Sequence, residues 1–442
     1  MKKSFLLKIV MSVLTASMVV PLAATASASA STSSGFGPSK SHSSTTESLA
    51  GSGLESSGVA RSPKTVKYTT FKPCKPARVG SASCLAIRRN TYVNGIRQHG
   101  LVPATGTAFG APALRKAYGI TAFGARYKVI AIVDAMHSST AFDDLTGYRN
   151  MYQLGAIDNC GEAGTSPTQL PSGKNPCFVQ LNQSGKVDRG TQTTDSGWAQ
   201  EIALDLQMAS AVCPHCSILL VEADSASFAD LNAAVRTAAD FSGVVAISNS
   251  YGGPDVIEAR ANAYGYATTK GIAVTASSGD SGYGVSAPAS FPSVIGVGGT
   301  SLTVDKLGRW ASESAWTKGG SGCSKLNVAA PWQKPAVTGC SGKSVVDVAA
   351  VADPATGVTV YFDGQWYTFG GTSASSPLIA ALFALKANFG DSAASYLWGN
   401  SASLHDITSG VTGRCLTKIW CNAGIGFDGP TGWGTPNGTE AF

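Results

Sequence analysis

Five short apolar runs recur between residues 129 and 297: Val129 to Val133, Ser217 to Glu222, Val244 to Ser248, Ile272 to Ala276 and Val294 to Val297. They are near-continuous rather than alternating, which is the pattern of strands covered on both faces in a parallel sheet. Helical patterns lie between them at Asp195 to Val212, Phe228 to Phe241 and Ile257 to Lys270, and another at Pro112 to Ile120 precedes the first run. Alternating strands and helices predict an α/β fold, a doubly wound, mostly parallel sheet flanked by helices on both faces. In such sheets ligand-binding and catalytic groups collect at the carboxyl ends of the strands.

The chain before this region is of a different kind. Lys2, Lys3 and Lys8 precede an apolar stretch from Ile9 to Ala24 and then small residues at Ala26, Ala28 and Ala30, the three-part pattern of a secretory signal over residues 1–30. The stretch is short for a bilayer span, so no membrane association is expected after signal cleavage. From Ser29 to about Pro63 Ser, Thr and Gly dominate, a composition that cannot repay the entropy of folding. Residues 31–110 are expected to be a Ser-rich linker and short pro-region, and 111–442 the main domain.

Export places the ten cysteines in an oxidising compartment, where they fall as close pairs: Cys74/Cys84, Cys160/Cys177, Cys213/Cys216, Cys323/Cys340 and Cys415/Cys421. Five local disulfides follow. A redox or zinc role for Cys213-Pro-His-Cys216 is disfavoured, since no second C-x-x-C exists and the pair follows a helix rather than opening one. The net charge of +6 is scattered without a basic run, which excludes nucleic acid as the expected partner.

Gly370-Gly-Thr-Ser-Ala-Ser-Ser-Pro377 follows a strand-like Thr368-Phe369 and leads into an apolar helix expected over Leu378 to Phe389. Ser373 thus sits at a glycine-hinged helix entry, where a hydroxyl is presentable and negative charge is favoured. An isolated G-T-S string is more often a plain helix cap, so the serine needs a base to mean anything. Of the five histidines, His42 lies in the Ser-rich linker, His99 in the pro-region and His215 between two cysteines. Of the two that remain, His137 and His405, His137, three residues beyond Asp134, is the better candidate for a Ser-His-Asp triad. The helix from Asp195 offers an alternative, because Glu201 and Asp205 are four apart and project from one face among Ala, Ile, Leu and Met with no basic partner. Two carboxyls in a partly dry site share a proton, and such a base works in acid where imidazole is protonated. A third carboxyl, Asp280 in Ser277-Ser-Gly-Asp-Ser-Gly282, follows a strand end; it is either an ordinary turn residue or a protonated donor to an oxyanion.

These three motifs, in this order, resemble the sedolisin family, acid-acting relatives of the subtilisins, from about Pro112 to the C-terminus. The resemblance implies Ser373 as nucleophile, Glu201 as general base, Asp205 as its orienting partner and Asp280 as oxyanion donor. It also implies protein or peptide substrates and endopeptidase or tripeptidyl-peptidase action. Ser248-Asn-Ser-Tyr-Gly252 resembles the superfamily's strand edge that pairs with extended substrate. Asp406-Ile-Thr-Ser-Gly410 and Gly424-Ile-Gly-Phe-Asp-Gly-Pro-Thr-Gly-Trp-Gly434 resemble the family's calcium site, implying Ca2+ held by the Asp406 and Asp428 carboxylates with the carbonyls of Ile407, Gly424 and Gly426.

Two departures stand out. Family members usually carry a large folded propeptide, whereas the stretch from about Ser31 to Gly110 is short, leaving self-cleavage open. Asp134 lies where subtilisins place their triad acid, a position the sedolisin set does not require. The competing functional expectations are an acid-acting secreted monomeric peptidase, an inactive secreted peptide-binding protein on the same scaffold, and a neutral-pH subtilisin using Asp134 and His137.

Overall fold

The computed structural model describes residues 44–45, 66–97, 100, 108–187, 193–386, 389 and 392–442. The expected signal at 1–30 and nearly all of the Ser-rich linker lie outside the described residues. The strands and helices that frame the site are, in chain order, β1 (Val66–Phe71), β2 (Ile87–Val93), α1 (Ala111–Ala117), β3 (Val129–Ala135), α2 (Ala141–Met151), β4 (Cys177–Asn182), α3 (Ser196–Val212), β5 (Ser217–Ala223), α4 (Phe228–Asp240), β6 (Val244–Asn249), β7 (Tyr251–Pro254), α5 (Ala263–Thr269), β8 (Ala273–Ser277), β9 (Ile295–Val304), β10 (Trp310–Ala315), β11 (Val348–Val351), β12 (Val358–Phe362), β13 (Gln365–Gly370) and α6 (Thr372–Lys386).

Among the described residues the main sheet runs β10-β9-β8-β6-β3-β5-β4, with β11 also on β9 and a short strand beyond β4. Every pairing in it is parallel except β9 with β10. The fully apolar strands follow from burial on both faces. Along β3, Ile130 and Ile132 enter the cluster formed with α1, α2, α3 and α6, while Val129, Ala131 and Val133 enter the one formed with α4 and α5. Alternate residues therefore serve opposite layers, as the strand period of two requires. This is the doubly wound, mostly parallel α/β architecture expected from the alternation of strands and helices.

Two helix expectations are corrected. Ile257 to Lys270 is not one helix but a 3-10 turn, Glu258–Arg260, followed by α5. The break is held by side chains from elsewhere, since Asn327 takes the Glu258 N–H and Asn232 takes the Ala263 N–H, each at 2.9 Å. The apolar helix begins at Thr372, six residues before Leu378, so Pro377 lies inside it. Proline lacks the N–H that would bond to residue i−4, which leaves the Ser373 carbonyl free of its helical partner.

All five cysteine pairs are disulfides. The element stapled by Cys74–Cys84 does not stand apart: β1 pairs with β2, β2 with β13, and β13 with β12, all antiparallel. Residues well before Ala111 are thereby tied to the strand that leads into α6.

Ile132 is wholly buried against α-helical neighbours. Ile132→Ala is expected to lower unfolding free energy by about 2–5 kcal/mol, measured from chemical denaturation midpoints; a loss under about 1 kcal/mol would mean the two-layer core is not packed as described.

Candidate active site

α3 is buried almost throughout, and Asp195 caps it by accepting from the N–H groups of Gly197 at 2.8 Å and Trp198 at 3.1 Å. A helix apolar on all sides belongs in the interior, packed here on the sheet beside α6 and against α1 and α2. Its two acids are therefore fully buried with no lysine or arginine paired to them: Glu201 and Asp205 are both 0% exposed. The apolar neighbours read from the sequence are matched by complete burial of both acids.

Ser373, the second residue of α6, is also 0% exposed and its hydroxyl donates to the Ser250 carbonyl at 3.2 Å. Ser250 in turn donates from its own hydroxyl to the carbonyl of Ser373 at 3.4 Å, the group that Pro377 leaves unsatisfied. The helix entry is held further by Ser277, which donates to the Thr372 carbonyl at 2.8 Å, and by Ser375, which donates to the Ala350 carbonyl at 3.1 Å. Gly371 has φ +98°, and a side chain there would meet the Leu85 carbonyl oxygen at 1.9 Å and Asp280 Oδ2 at 2.7 Å. Only glycine fits that hinge.

Burial drives the Glu201 carboxyl well above its ordinary range and Asp205 adds repulsion, while the Ser373 hydroxyl and the Ala86 N–H oppose the shift. That Ala86 N–H reaches Glu201 Oε2 at 2.7 Å. Asp205 is also pushed well up, by burial and by Asp134, and neither of its oxygens has a hydrogen-bond partner. Asp134 is raised by burial and by its neighbours Glu201 and Glu222, and neither of its oxygens has a hydrogen-bond partner. Glu201 thus has the Ala86 N–H as a donor to its ionised form whereas Asp134 and Asp205 have none, which favours the proton on those two over Glu201.

Asp280 closes the other side. Its Oδ1 accepts from the Thr372 N–H at 2.8 Å and the Thr372 hydroxyl at 2.9 Å, and burial raises its pKa to about 6. Below that value it is a neutral acid whose Oδ2 shares the space around Gly371 with the Leu85 carbonyl. His137 is not part of this group: its Nδ1 lies 2.8 Å from Glu222 Oε2, and Glu222 also accepts from the Ser138 N–H and Gln180. No described histidine contacts Ser373, so the Asp134–His137 triad is not assembled. The sequence reading missed Ala86 and Ser250 as partners of the catalytic candidates and Glu222 as the partner of His137. Ser250 was within the Ser248–Gly252 motif already singled out; Ala86 carried no signal, being an unremarkable residue brought in by long-range pairing.

At the C-terminal candidate site, Asp406 Oδ2 accepts from the Gly426 N–H and Asp428 Oδ2 from the Gly424 N–H, both at 2.9 Å. Burial raises the Asp428 carboxyl to about 7 and the Asp406 charge adds to the rise. The two acids lie in one glycine-rich loop system, and neither forms an ion pair among the described residues. Among the described residues no group of three or more His, Cys, Asp and Glu is clustered for a metal, so a cation here would draw its remaining ligands from main-chain carbonyls.

With this geometry in place, the comparisons with known proteins fall into line. The model of the subtilase family matches residues 189–409. The chain belongs to the subtilase family, and within it is sedolisin-like. It is 35% identical over 297 residues to kumamolisin from Bacillus sp. (strain MN-32), covering 60% of this chain and 53% of kumamolisin. It is 34% identical over 212 residues to sedolisin from Pseudomonas sp. (strain 101), covering 40% of this chain and 36% of that protein. The chain thus matches about half the length or less of these relatives. The solved structure of Pseudomonas sedolisin, a serine-carboxyl proteinase complexed with two molecules of pseudo-iodotyrostatin, superposes with a TM-score of 0.61 at 25% identity, covering 76% of this chain and 96% of that one.

The raised carboxyls carry a stability consequence of fixed sign. Asp280 has an ordinary value of 3.8 and a folded value of about 6, so its contribution is full below about pH 4 and is lost as pH rises through about 6. Two pKa units correspond to about 3 kcal/mol. The melting temperature of Ser373→Ala protein is expected to fall between about pH 4 and pH 7, less steeply when Asp280→Asn is added. A melting temperature that rises over this range would contradict the assignment.

Proposed function

We propose that the chain is a secreted serine-carboxyl peptidase that cleaves protein or peptide substrates through an acyl-enzyme at acidic pH. The observation that carries this reading is the convergence of Ser373, Glu201, Asp205 and Asp280 in one buried cluster that no described histidine enters. Glu201, whose Oε2 accepts from the Ala86 N–H, takes the Ser373 proton as the hydroxyl attacks the carbonyl carbon. Asp205 holds Glu201 in place and shares its proton. Asp280, neutral in acid, donates to the oxyanion, a use of a buried carboxylic acid that costs no reorganisation during reaction. The five disulfides and the absence of any described helix long and apolar enough to cross a membrane fit an exported protein. A monomer without nucleic-acid partners is the accompanying expectation.

Hydrolysis of a denatured protein across about pH 2–8 tests the reading, that being the range over which carboxyls and imidazole titrate. Activity is expected to peak in acid and to drop roughly 10^4-fold or more in Ser373→Ala and in Glu201→Gln. A neutral optimum abolished by His137→Ala would instead support the triad, and binding of peptides without hydrolysis at any pH would support the inactive scaffold.

Calcium belongs to the same proposal. Asp406 and Asp428 with the carbonyls of Ile407, Gly424 and Gly426 would hold Ca2+, a hard cation suited to an all-oxygen set and able to offset the repulsion between the two acids. Its role would be structural. Chelation is expected to lower the melting temperature of wild-type protein at neutral pH and to leave Asp406→Ala unaffected; equal responses in the two proteins would remove calcium from this site.

A further inference from the structure

The break in the helix expected at Ile257 to Lys270 opens a space beside it. Asn327 holds the Glu258 N–H and Asn232 the Ala263 N–H, so the 3-10 turn and α5 stay separate elements. An open cavity of about 470 Å3 lies along them, lined by Glu258 of the turn, by Gly265 and Thr268 of α5, and by Pro292, Pro331 and Trp332 from loops. None of the candidate catalytic residues lines it.

Trp332 is fixed from behind. Its Nε1 donates to Asp347 Oδ1 at 3.2 Å, and Asp347 also takes Gln333 and the wholly buried Lys343, each at 2.8 Å. The polar edge of the indole is satisfied inside the protein, so what the ring adds to the cavity wall is apolar π-surface. Glu258 is the opposite case. Its carboxylate accepts from the Ser293 hydroxyl, but it forms no ion pair among the described residues. Lys343 is paired with Asp347, Arg260 forms no ion pair with Glu258, and Asp255 is occupied by Ser290, Ser324 and Asn327. A carboxylate among prolines and an indole without a counter-charge is costly, and burial accordingly raises the Glu258 pKa while Ser293 and Lys343 oppose the rise.

We propose that this cavity binds an organic cation with an apolar stem, an alkylammonium or alkylguanidinium group such as a lysine or arginine side chain carries. The cationic head supplies the charge that Glu258 lacks and lies against the Trp332 ring, a cation–π arrangement. The stem rests on Pro292 and Pro331. The volume falls within the range of about 300–1,000 Å3 usual for small-ligand sites, and mostly apolar walls with one placed charge are their usual chemistry. A metal ion fits poorly, because a hard cation wants about six or more oxygens and one carboxylate does not supply them. An anion would meet Glu258 as a like charge. Since Glu258 must be ionised to hold the cation, occupancy is full near neutrality and falls in acid, as the carboxyl takes its proton.

The experiment is titration of the full chain at about pH 7, where carboxyls are ionised, with n-butylammonium, followed through the indole N–H resonance of Trp332. That resonance is identified as the one absent from Trp332→Leu. 1-Butanol is the neutral control, and Nα-acetyl-lysine methylamide with its norleucine counterpart makes the same comparison on an amino-acid side chain. A saturable shift with the cations and none with the neutral counterparts is expected, smaller in acid. Binding is expected to weaken about 10- to 100-fold in Glu258→Gln, the loss that goes with a hydrogen bond to a charged group. Gly265→Leu, whose Cβ starts 3.8 Å from Glu258 Oε1, fills the space and is expected to abolish the shift while circular dichroism stays that of wild type. Saturation by n-butylammonium alone assigns the site to free amines, and saturation by both cations assigns it to lysine side chains as well. No saturable shift with either cation, an equal response to the neutral counterparts, or unchanged binding in Glu258→Gln overturns the inference.

Discussion

Desolvation of carboxyl groups is the constraint on which this molecule turns. α3 is apolar all round and so must be interior, and Glu201 and Asp205 go in with it. No lysine or arginine forms an ion pair with them or with Asp134 among the described residues. Charge in such a place is expensive, and the inexpensive response is to keep protons. The environment therefore selects acid as the condition in which the cluster is comfortable, without any separate device for sensing pH.

The same economy explains the arrangement around the serine. A proline one turn after Ser373 would weaken most helix starts, yet here the carbonyl it frees is taken by Ser250, and the carbonyl of Ser250 takes the Ser373 hydroxyl. Two neighbouring chain segments are locked by this reciprocal pair, and they carry the proposed nucleophile and the strand edge proposed to bind substrate. Asp280 is tied to the same helix start through Thr372. Moving any one of the three would disturb the other two, which is how a constellation drawn from distant parts of the chain keeps its geometry.

Much of this was legible in the sequence because its causes are local or periodic. Strands covered on both faces read as unbroken apolar runs, and β3, β5, β6, β8 and β9 lie where those runs fall. Glu201 and Asp205 could be singled out because four-residue spacing on a helix without basic neighbours is unusual. Where the reading failed, long-range contacts decided. Asn232 and Asn327 split the helix expected at Ile257 to Lys270, and the proline at 377 hid the true start of α6. Nothing in Ser81–Ala86 announces where it lies, since its position comes from pairing with β7 at Ser83–Cys84 and with β13 from Ile87 onward. Likewise the pairing of His137 with Glu222, which takes that histidine out of the running as a base, joins residues 85 apart.

The central claim is that the carboxyls beside Ser373 hold protons well above the ordinary carboxyl range. Infrared difference spectra of the Ser373→Ala protein, taken stepwise with pH, follow the carbonyl band of protonated carboxylic acids directly. The account predicts a fraction of that band persisting above about pH 6, where exposed carboxyls are fully ionised, and a loss of part of it in Asp134→Asn and in Asp205→Asn. A band that vanishes completely near pH 4, unchanged by either substitution, would contradict it.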